Sequence, residues 1–312
     1  MADVYDIVIV GGGAAGFTAG LYAARDRCRT LVLERFSAGG QVLNCEHIEN
    51  YPGFPEGIAG YSLGPLLQQQ ATNLGAEMRL AEVHNVRPDG DTKVLQTDDG
   101  ELRTRVLIIA TGSSFAKLDI PGEEEFLGNG VSHCASCDGA FFMDQPVAVV
   151  GGGDAALDEG IHLTQYASQV TIIHRRAELR ACQLLQERAR NKEKLAFRWD
   201  TVVRAIEGEG TVQHLQLEDA KTGERSQMEV AGVFLFIGLT PNIQFLNGQL
   251  PLNERGQIIT DLSMRTSVPG ILAAGDVRHE SSRQLVSAAG DGATAALAAV
   301  RYLRTGEWAA KA

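Results

Sequence analysis

The sequence of 312 residues predicts an α/β fold with two Rossmann-like dinucleotide-binding domains, one inserted in the other. Two glycine-rich loops of similar spacing support this prediction, Gly11-x-Gly13-x-x-Gly16 and Gly151-x-Gly153-x-x-Ala156. Each loop follows a short apolar, β-branched run and precedes a stretch rich in alanine and leucine, as in a strand–turn–helix unit that binds a nucleotide. The offset from Gly11 to Gly151 is 140 residues, as is the offset from Gly13 to Gly153, so the unit occurs twice.

In the first repeat, strands are predicted at 6–10 and 30–34, with a helix at 14–25 between them. Glu34 stands 18 residues after Gly16. An acidic side chain at this distance from the loop can accept a hydrogen bond from a ribose hydroxyl.

The second repeat places a basic cluster where the first has an acid. Its predicted elements are strands at 147–150 and 170–173 and a helix at 155–166. The offset maps Glu34 onto His174, which Arg175, Arg176 and, further on, Arg180 follow. Because arginine binds phosphate oxygens with a two-pronged set of donors, the cluster favours a nucleotide with a 2′-phosphate. The alternative is a solvated, basic start of a helix.

The domain boundaries follow from the later strands, predicted at 106–110, 232–237 and 270–274, and from a helix at 288–303. We predict a discontinuous FAD-binding domain at 1–116 and 247–312, and an inserted NADPH-binding domain at 117–246. Asp276, at the end of a late strand, is then expected beside the first glycine loop, where it can bond the ribityl or pyrophosphate part of a flavin. Residues 307–312 are predicted to form a loose tail.

Composition limits the class of partner. The formal net charge of −11 argues against nucleic acid and against an anionic membrane surface. No apolar run reaches the roughly 18 residues of a spanning helix, and the N-terminal residues do not read as a secretory signal. We therefore expect a cytoplasmic protein.

A pair of cysteines, Cys134 and Cys137, lies between the two repeats. In a reducing compartment a Cys-x-x-Cys pair is catalytic or metal-binding, and zinc would need further ligands that Cys28, Cys45 and Cys182 do not supply at ligand spacing. At a predicted helix start, one thiol can have a lowered pKa while the other resolves a mixed disulfide. The opposing interpretation is a pair of small buried side chains.

The neighbours of the pair are further candidates. Asp138 can transfer the proton that the dithiol releases or takes up, or it can cap a helix. His133 can tune the thiolate, or it can be an ordinary surface residue. Two nucleotide loops on either side of a dithiol predict an electron route from a nicotinamide nucleotide through FAD to the cysteines, since a flavin converts hydride transfer into dithiol chemistry.

These motifs resemble the low-molecular-weight, bacterial-type thioredoxin reductases, which belong to the pyridine nucleotide-disulfide oxidoreductases. The resemblance extends from Asp6 to about Leu303. The segments that carry it are 11–16, 39–41, 49–54, 110–112, 131–139, 151–156, 174–180, 236–242, 275–277 and 283–284.

The resemblance implies a homodimeric enzyme that uses FAD and NADPH to reduce thioredoxin. It implies that Cys137 faces the flavin, that Cys134 attacks the thioredoxin disulfide, and that Asp138 is the acid/base. The FAD-binding residues it implies are Gly11, Gly13, Ala14, Ala15, Gly16, Glu34, Gly39, Gly40, Gln41, Asn50, Ala110, Thr111, Gly112, Gly275, Asp276, Arg283, Gln284 and Leu285. The NADPH-binding residues it implies are Gly151, Gly153, Asp154, Ala155, Ala156, His174, Arg175, Arg176, Arg180, Ile237 and Gly238.

Two alternatives stay open at this stage. The first is an enzyme of the same scaffold with another donor, such as ferredoxin, or with another disulfide partner. Departures from the family pattern, such as Ala14 and Ala177, leave the donor open, whereas the intact arginines favour NADPH. The second is a flavoprotein that senses or binds without turnover, and the intact cysteine pair speaks against it.

Overall fold

The computed structural model describes residues 4–308 and divides the chain into two compact units. The first unit comprises Met1–Ser114 and Thr240–Ala312, and the second comprises Phe115–Leu239. None of the helices within residues 4–308 is long and apolar enough to cross a membrane.

Within residues 4–308, the first unit is built on a seven-stranded sheet with three α-helices. Its strands are β1 (Val4–Val10), β2 (Thr30–Glu34), β3 (Glu77–Leu80), β4 (Val83–Asp89), β5 (Thr92–Thr97), β6 (Gly100–Ile109) and, after the second unit, β17 (Ile271–Ala273). Its helices are α1 (Ala14–Arg25), α2 (Gly60–Asn73) and α6 (Leu285–Thr305). The chain passes to the second unit at β7 (Ser113–Phe115) and returns at β16 (Leu239–Pro241).

The order of the strands in this sheet is β3-β2-β1-β6-β5-β4, with β17 also on β6. Strands β1, β2, β3, β6 and β17 pair in parallel, whereas β4, β5 and the first half of β6 pair antiparallel. Alternate residues of β1 enter two different cores. Ile7 and Ile9 pack with the helices, while Val8 and Val10 pack on the opposite face. Both faces are therefore buried, which explains why β1 reads as a continuous apolar run.

The second unit contains a five-stranded parallel sheet and a three-stranded antiparallel sheet. Its elements are β8 (Val131–Ser132), α3 (Ala135–Asp138), β9 (Pro146–Gly151), α4 (Asp154–Leu163), β10 (Gln169–Ile173), α5 (Gln183–Arg190), β11 (Leu195–Arg198), β12 (Thr201–Glu209), β13 (Thr211–Asp219), β14 (Arg225–Glu229) and β15 (Gly232–Phe236). The parallel order is β11-β10-β9-β15-β8, and the antiparallel order is β12-β13-β14. Val147 and Val149 of β9 pack against the helices, whereas Ala148 and Val150 pack against the antiparallel sheet.

Several local predictions agree with the structure. The helix at 14–25 and the strand at 30–34 have the predicted bounds. The helix predicted at 155–166 runs from Asp154 to Leu163 and continues as a turn, and α6 begins three residues before the predicted 288.

Two predictions need correction. The predicted inserted domain includes residues 240–246, but Ile243, Phe245 and Leu246 pack into a core of the first unit, so the second unit ends at Leu239. At the other boundary Phe115 packs into a core of the second unit, which therefore begins there rather than at 117.

The loose tail predicted at 307–312 is wrong for Trp308. Its indole Nε1 donates to Thr266 O at 3.1 Å, and its ring packs edge-on against Tyr302 with the ring centroids 4.9 Å apart. Residues 309–312 lie outside the described part of the chain.

The crossing of α1 and α6 generates a testable prediction with a matched control. A Cβ on Gly292 of α6 would overlap Ala15 O of α1, whereas a Cβ on Gly290 of the same helix meets nothing within 4 Å. We expect Gly292→Ala to lower the free energy of unfolding by about 1–3 kcal/mol through overpacking. Gly290→Ala should raise it by about 0.5–1 kcal/mol because alanine is the better helix former. Urea unfolding followed by circular dichroism measures both, and equal stability of the two variants would contradict the prediction.

Candidate active site

The first glycine loop brings the backbone close to the end of the sheet. Gly11 has φ of 109°, and a Cβ there would overlap Ala110 O at the end of β6. A Cβ on Gly16 would overlap Gly11 O in the same way. Helix α1 therefore starts directly at the strand ends, with Gly13 as its N-cap and no capping side chain. Its first N–H groups suit the oxygens of a pyrophosphate.

Glu34 is fixed beside this loop at the end of β2. Its Oε2 accepts from Gly12 N at 2.8 Å, and its Oε1 accepts from Arg35 N at 2.8 Å and Phe36 N at 3.1 Å. Each carboxylate oxygen can accept more than one hydrogen bond. The side chain is thus held in one orientation and can still accept from a ribose hydroxyl.

Other predicted residues gather around the first loop. Gly39 N donates to Gly12 O at 2.8 Å, and a Cβ on Gly40 would lie 3.4 Å from Gly13 Cα. Gln41 Nε2 donates to Ser113 O at 3.1 Å, just after the predicted segment 110–112.

Further along the first unit, Asn50 Nδ2 donates to Gln284 Oε1 at 3.3 Å, so two predicted residues distant in sequence meet. Thr111 Oγ1 donates to Asn242 O at 2.7 Å, which anchors the turn after β6. Gly112 has φ of 60° and open space where a side chain would be. Arg283 has φ of 54°, and Gln284 is the N-cap of α6, which begins at Leu285.

Asp276 follows β17 in a short 3₁₀ turn, Gly275–Val277. Burial raises the pKa of its carboxyl group, although Ser281 Oγ donates to it at 2.9 Å. This turn is held from α6. Asp291 accepts from Gly275 N at 3.1 Å and makes a bidentate pair with Arg278 at 2.6 and 2.8 Å.

The sequence reasoning missed Asp291 and Arg278. The available signal was an acidic residue within the run of small residues at 288–299.

The second glycine loop repeats the close approach of the first. Gly151 has φ of 157°, and a Cβ there would lie 2.5 Å from Phe236 O at the end of β15. Gly153 is the N-cap of α4 without a capping side chain, and nothing lies within 4 Å of where its Cβ would be. Ile237 and Gly238 follow β15 directly, so they lie at the same edge of the sheet as the loop.

The first turn of α4 contains Asp154, Ala155 and Ala156. Asp154 does not cap the helix, since its Oδ1 accepts from Cys182 N at 2.7 Å and so fixes the neighbouring segment. Arg180 N donates to Gly152 O at 2.7 Å in the same segment. Ala155 is exposed, whereas Ala156 is buried against Gly151. The predicted residues on both sides of the loop are thus brought together.

His174 occupies the position equivalent to Glu34 but makes a different contact. It is only 6% exposed, and a Cβ on Gly152 would overlap its ring. Its Nε2 has no hydrogen-bond partner among the described residues. Burial lowers the pKa of His174, and the nearby charges of Arg180, Arg175 and Arg176 lower it further. The positive charge of the cluster therefore comes from the three exposed arginines, which lie in a loop and not at a helix start.

The cysteine pair is a disulfide, with the two sulfurs 2.10 Å apart. Cys134 is the N-cap of α3, and its Sγ accepts from Cys137 N at 3.2 Å. Cys137 is exposed and Cys134 is half-buried. The pair follows β8, so it lies at the carboxyl edge of the parallel sheet, the edge that also carries the second glycine loop.

Ser132 connects Asp138 to the pair, which the sequence did not predict. Its Oγ donates to Asp138 Oδ2 at 2.6 Å and accepts from Cys134 N at 3.0 Å. His133 Nδ1 donates to Leu235 O at 3.0 Å, and its ring stacks on Phe115 with the centroids 5.2 Å apart.

The other three cysteines have separate environments. Cys28 packs against a core of the first unit, and burial raises the pKa of its thiol. Cys45 is half-buried, and it packs against the same core. Cys182 is exposed and is the N-cap of α5.

Comparison with known proteins gives consistent matches over nearly the whole chain. The family model described as "Pyridine nucleotide-disulphide oxidoreductase" matches residues 5–293. A thioredoxin reductase of Peptoclostridium litorale is 43% identical over 309 residues, covering 97% of this chain and 98% of that protein. One from Bacillus subtilis (strain 168) is 44% identical over 301 residues, covering 96% and 95%. The crystal structure of Lactococcus lactis thioredoxin reductase (FR conformation) has 45% sequence identity and a TM-score of 0.94, covering 96% and 99%.

The environment of His174 yields a prediction on protonation. Because burial lowers the pKa of folded His174, its imidazole should be more than half neutral at about pH 6.5, where a free histidine is half-protonated. Below that pH the unfolded chain takes up a proton that folded His174 resists, so this residue should reduce stability as the pH falls. An NMR titration of the histidine resonances between pH 5 and 8 measures the pKa of His174. The His174 resonance is assigned by its absence from the spectrum of a His174→Gln variant. A midpoint at or above that of free histidine would contradict the prediction.

Proposed function

Because this chain belongs to the pyridine nucleotide-disulphide oxidoreductases and, within them, to the thioredoxin reductase family, we propose that it reduces thioredoxin with electrons from NADPH. The comparisons confirm the predicted resemblance, the two Rossmann-like domains, the oxidoreductase class and the cofactors FAD and NADPH. The assignment of individual residues below is our proposal.

One observation carries the proposal: a disulfide lies at the same edge of one parallel sheet as a nucleotide loop. Cys134 and Cys137 follow β8, and Gly151–Gly153 follow β9 two strands away. In parallel α/β sheets, ligands bind at the carboxyl ends of the strands. The second unit can therefore present both a nicotinamide nucleotide and a dithiol.

We place FAD on the first unit. The uncapped start of α1 at Gly13 suits the pyrophosphate, Glu34 suits a ribose diol, and Asp276 suits the ribityl part. The remaining proposed contacts are Gly11, Ala14, Ala15, Gly16, Gly39, Gly40, Gln41, Asn50, Ala110, Thr111, Gly112, Gly275, Arg283, Gln284 and Leu285. When bound, FAD supplies the conversion between a hydride and the electrons of a dithiol.

We place NADPH on the second unit. The uncapped start of α4 at Gly153 suits the pyrophosphate, and Arg175, Arg176 and Arg180 suit the 2′-phosphate. His174 shapes the space beside Gly152 without adding charge. The other proposed contacts are Gly151, Asp154, Ala155, Ala156, Ile237 and Gly238. A ferredoxin-dependent enzyme would have no use for three arginines at this place.

The dithiol step then proceeds through named groups. Two electrons and two protons break the bond between Cys134 and Cys137 and leave two thiols. We assign Cys134 as the thiol that attacks thioredoxin, because its Sγ already accepts a hydrogen bond from Cys137 N that would stabilise a thiolate. Cys137 then resolves the mixed disulfide. Asp138, linked to this segment through Ser132, is the proposed acid/base.

The assembly and location belong to the same proposal. The resemblance supports a homodimer, and a reactive vicinal pair beside three other cysteines suits the reducing cytoplasm. Sedimentation of the FAD-loaded protein tests the proposed homodimer, which a predominantly monomeric protein would contradict.

Anaerobic titration of the FAD-loaded protein with NADPH tests the proposed donor. We expect bleaching of the flavin absorbance at micromolar NADPH and much weaker bleaching with NADH. Bleaching by dithionite but by neither nucleotide would overturn NADPH as the donor.

Replacing the arginines should change the KM for NADPH but not the KM for NADH. We expect Arg175→Ala/Arg176→Ala to raise the KM for NADPH at least about tenfold, because charge-assisted hydrogen bonds contribute about 1.5–3 kcal/mol. The KM for NADH should stay unchanged, since NADH has no 2′-phosphate. Arg225→Ala, which removes an exposed arginine of the same unit on β14, is the control. An equal rise for both nucleotides would contradict the proposed contact.

Single cysteine variants should distinguish the attacking thiol. The probe is a thioredoxin with one active-site cysteine, activated as a mixed disulfide with thionitrobenzoate. Cys137→Ser should form a covalent one-to-one complex and release thionitrobenzoate, because Cys134 attacks and no resolving thiol remains. Cys134→Ser should form about tenfold less complex in the same time, since the remaining thiol lacks the hydrogen bond from Cys137 N. Non-reducing electrophoresis measures the complex, and the reverse order of reactivity would assign the attack to Cys137.

A further inference from the structure

A carboxylate on α4 is hydrogen-bonded to the turn that contains the disulfide. We call this turn, Cys134–Cys137, the redox-active turn. Glu159 lies on α4 and is half-buried. Its Oε2 accepts from Ala135 N at 2.8 Å. Ala135 is completely buried and is the residue directly after Cys134, so the bond fixes the backbone of the turn at its first thiol.

The covalent structure places this carboxylate near the sulfur of Cys134. Ala135 N is four bonds from Cys134 Sγ, a distance of at most about 5 Å, so the accepting oxygen, 2.8 Å from that nitrogen, lies within about 8 Å of the sulfur. At that separation, and with the intermediate dielectric of a half-buried site, a negative charge lowers the ionisation constant of a thiol by about tenfold.

We propose that Glu159 is a positioning residue that fixes the redox-active turn to α4 and opposes ionisation of the Cys134 thiol in the reduced protein. Its negative charge raises the free energy of the Cys134 thiolate, whereas the hydrogen bond that Cys137 N donates to the same sulfur lowers it, and that bond still makes Cys134 the more easily ionised thiol of the pair. The inference rests on the proposed function in so far as Cys134 is the attacking thiol. Its consequence is that Cys134 stays a thiol at rest and needs a proton acceptor when it attacks.

Other titratable groups lie on the segment of the cysteine pair itself and on α4 with the turn that follows it. On the segment itself, His133 precedes Cys134 and Asp138 follows Cys137. On α4 and the turn after it lie His162 and Tyr166, whose rings pack edge-on, and Tyr166 also packs against Gly139. Glu159 is distinguished from these groups by its direct bond to the peptide N–H that adjoins Cys134.

Helix α4 connects the hydrogen bond between Glu159 and Ala135 N to the second glycine loop. The helix begins at the second glycine loop, with Gly153 as its N-cap, and Glu159 lies about 1.7 turns later. A single rigid helix thus holds both the proposed pyrophosphate position and the backbone of the redox-active turn.

The test is the pH profile of Cys134 alkylation in the fully reduced protein. Iodoacetamide labelling is quenched at intervals, and the Cys134 peptide is quantified by mass spectrometry between pH 6 and 10. We expect Glu159→Gln, which keeps an acceptor oxygen but removes the charge, to shift the profile to lower pH. At pH 7 its rate should rise about threefold, since tenfold more thiolate is partly offset by its lower nucleophilicity.

Two further variants make the result decisive. Glu187→Gln removes the same charge from an exposed position on α5. That helix connects β10 and β11, on the side of the sheet away from β8, and the variant should keep the wild-type profile. Glu159→Asp keeps the charge and should also stay close to wild type.

A Glu159→Gln profile that coincides with wild type would overturn the inference, as would equal shifts in Glu159→Gln and Glu159→Asp. The labelling requires neither NADPH nor thioredoxin, so failure of the proposed function and failure of this inference remain distinguishable.

Discussion

The close approach of a glycine to the end of a neighbouring strand is the constraint on which each of the two nucleotide loops depends. Gly11 lies against Ala110 O, and Gly151 lies against Phe236 O, where neither position leaves room for a Cβ. Because no side chain intervenes, α1 and α4 begin directly at the carboxyl edge of their sheets, and no capping side chain bonds their first N–H groups. A larger residue at either glycine would displace the helix start and, with it, every contact made from that helix.

The two units share this backbone arrangement but differ at one equivalent position, which is Glu34 in the first unit and His174 in the second. In the first unit Glu34 bonds Gly12 N and keeps lone pairs for a diol. In the second unit His174 fills the space against Gly152, loses charge through burial, and leaves the positive potential to the arginines that follow. A carboxylate there would repel a 2′-phosphate, whereas a neutral ring beside exposed guanidinium groups does not. In the proposed assignment, the preference for a nucleotide with a 2′-phosphate therefore depends on the burial of His174 as much as on the type of residue.

The sequence predicts those features of the fold that local residue patterns determine. The bounds of α1 and β2 follow from apolar runs next to glycines, and the two loops follow from spacing alone. The antiparallel strands at β12–β14 were not predicted, because their exposed faces interrupt the apolar pattern. The predicted boundaries of the second unit and the loose tail predicted at Trp308 were wrong, because both features depend on contacts with residues far away in the chain. Ser132, Glu159 and Asp291 act through specific side-chain hydrogen bonds, which leave no periodic signal in the sequence.

A redox-active turn faces a structural problem that an ordinary disulfide does not. When its bond is reduced, the cross-link that defines the turn disappears, so other contacts must hold the two sulfurs close enough to reform it. Here the turn is held from three elements: Ser132 of β8 bonds Cys134 N, Glu159 of α4 bonds Ala135 N, and His133 bonds Leu235 O of β15. Each of these bonds involves a backbone group and none involves a reacting sulfur. The turn can therefore exchange electrons repeatedly while its backbone, and the geometry it presents to a partner, stay in place.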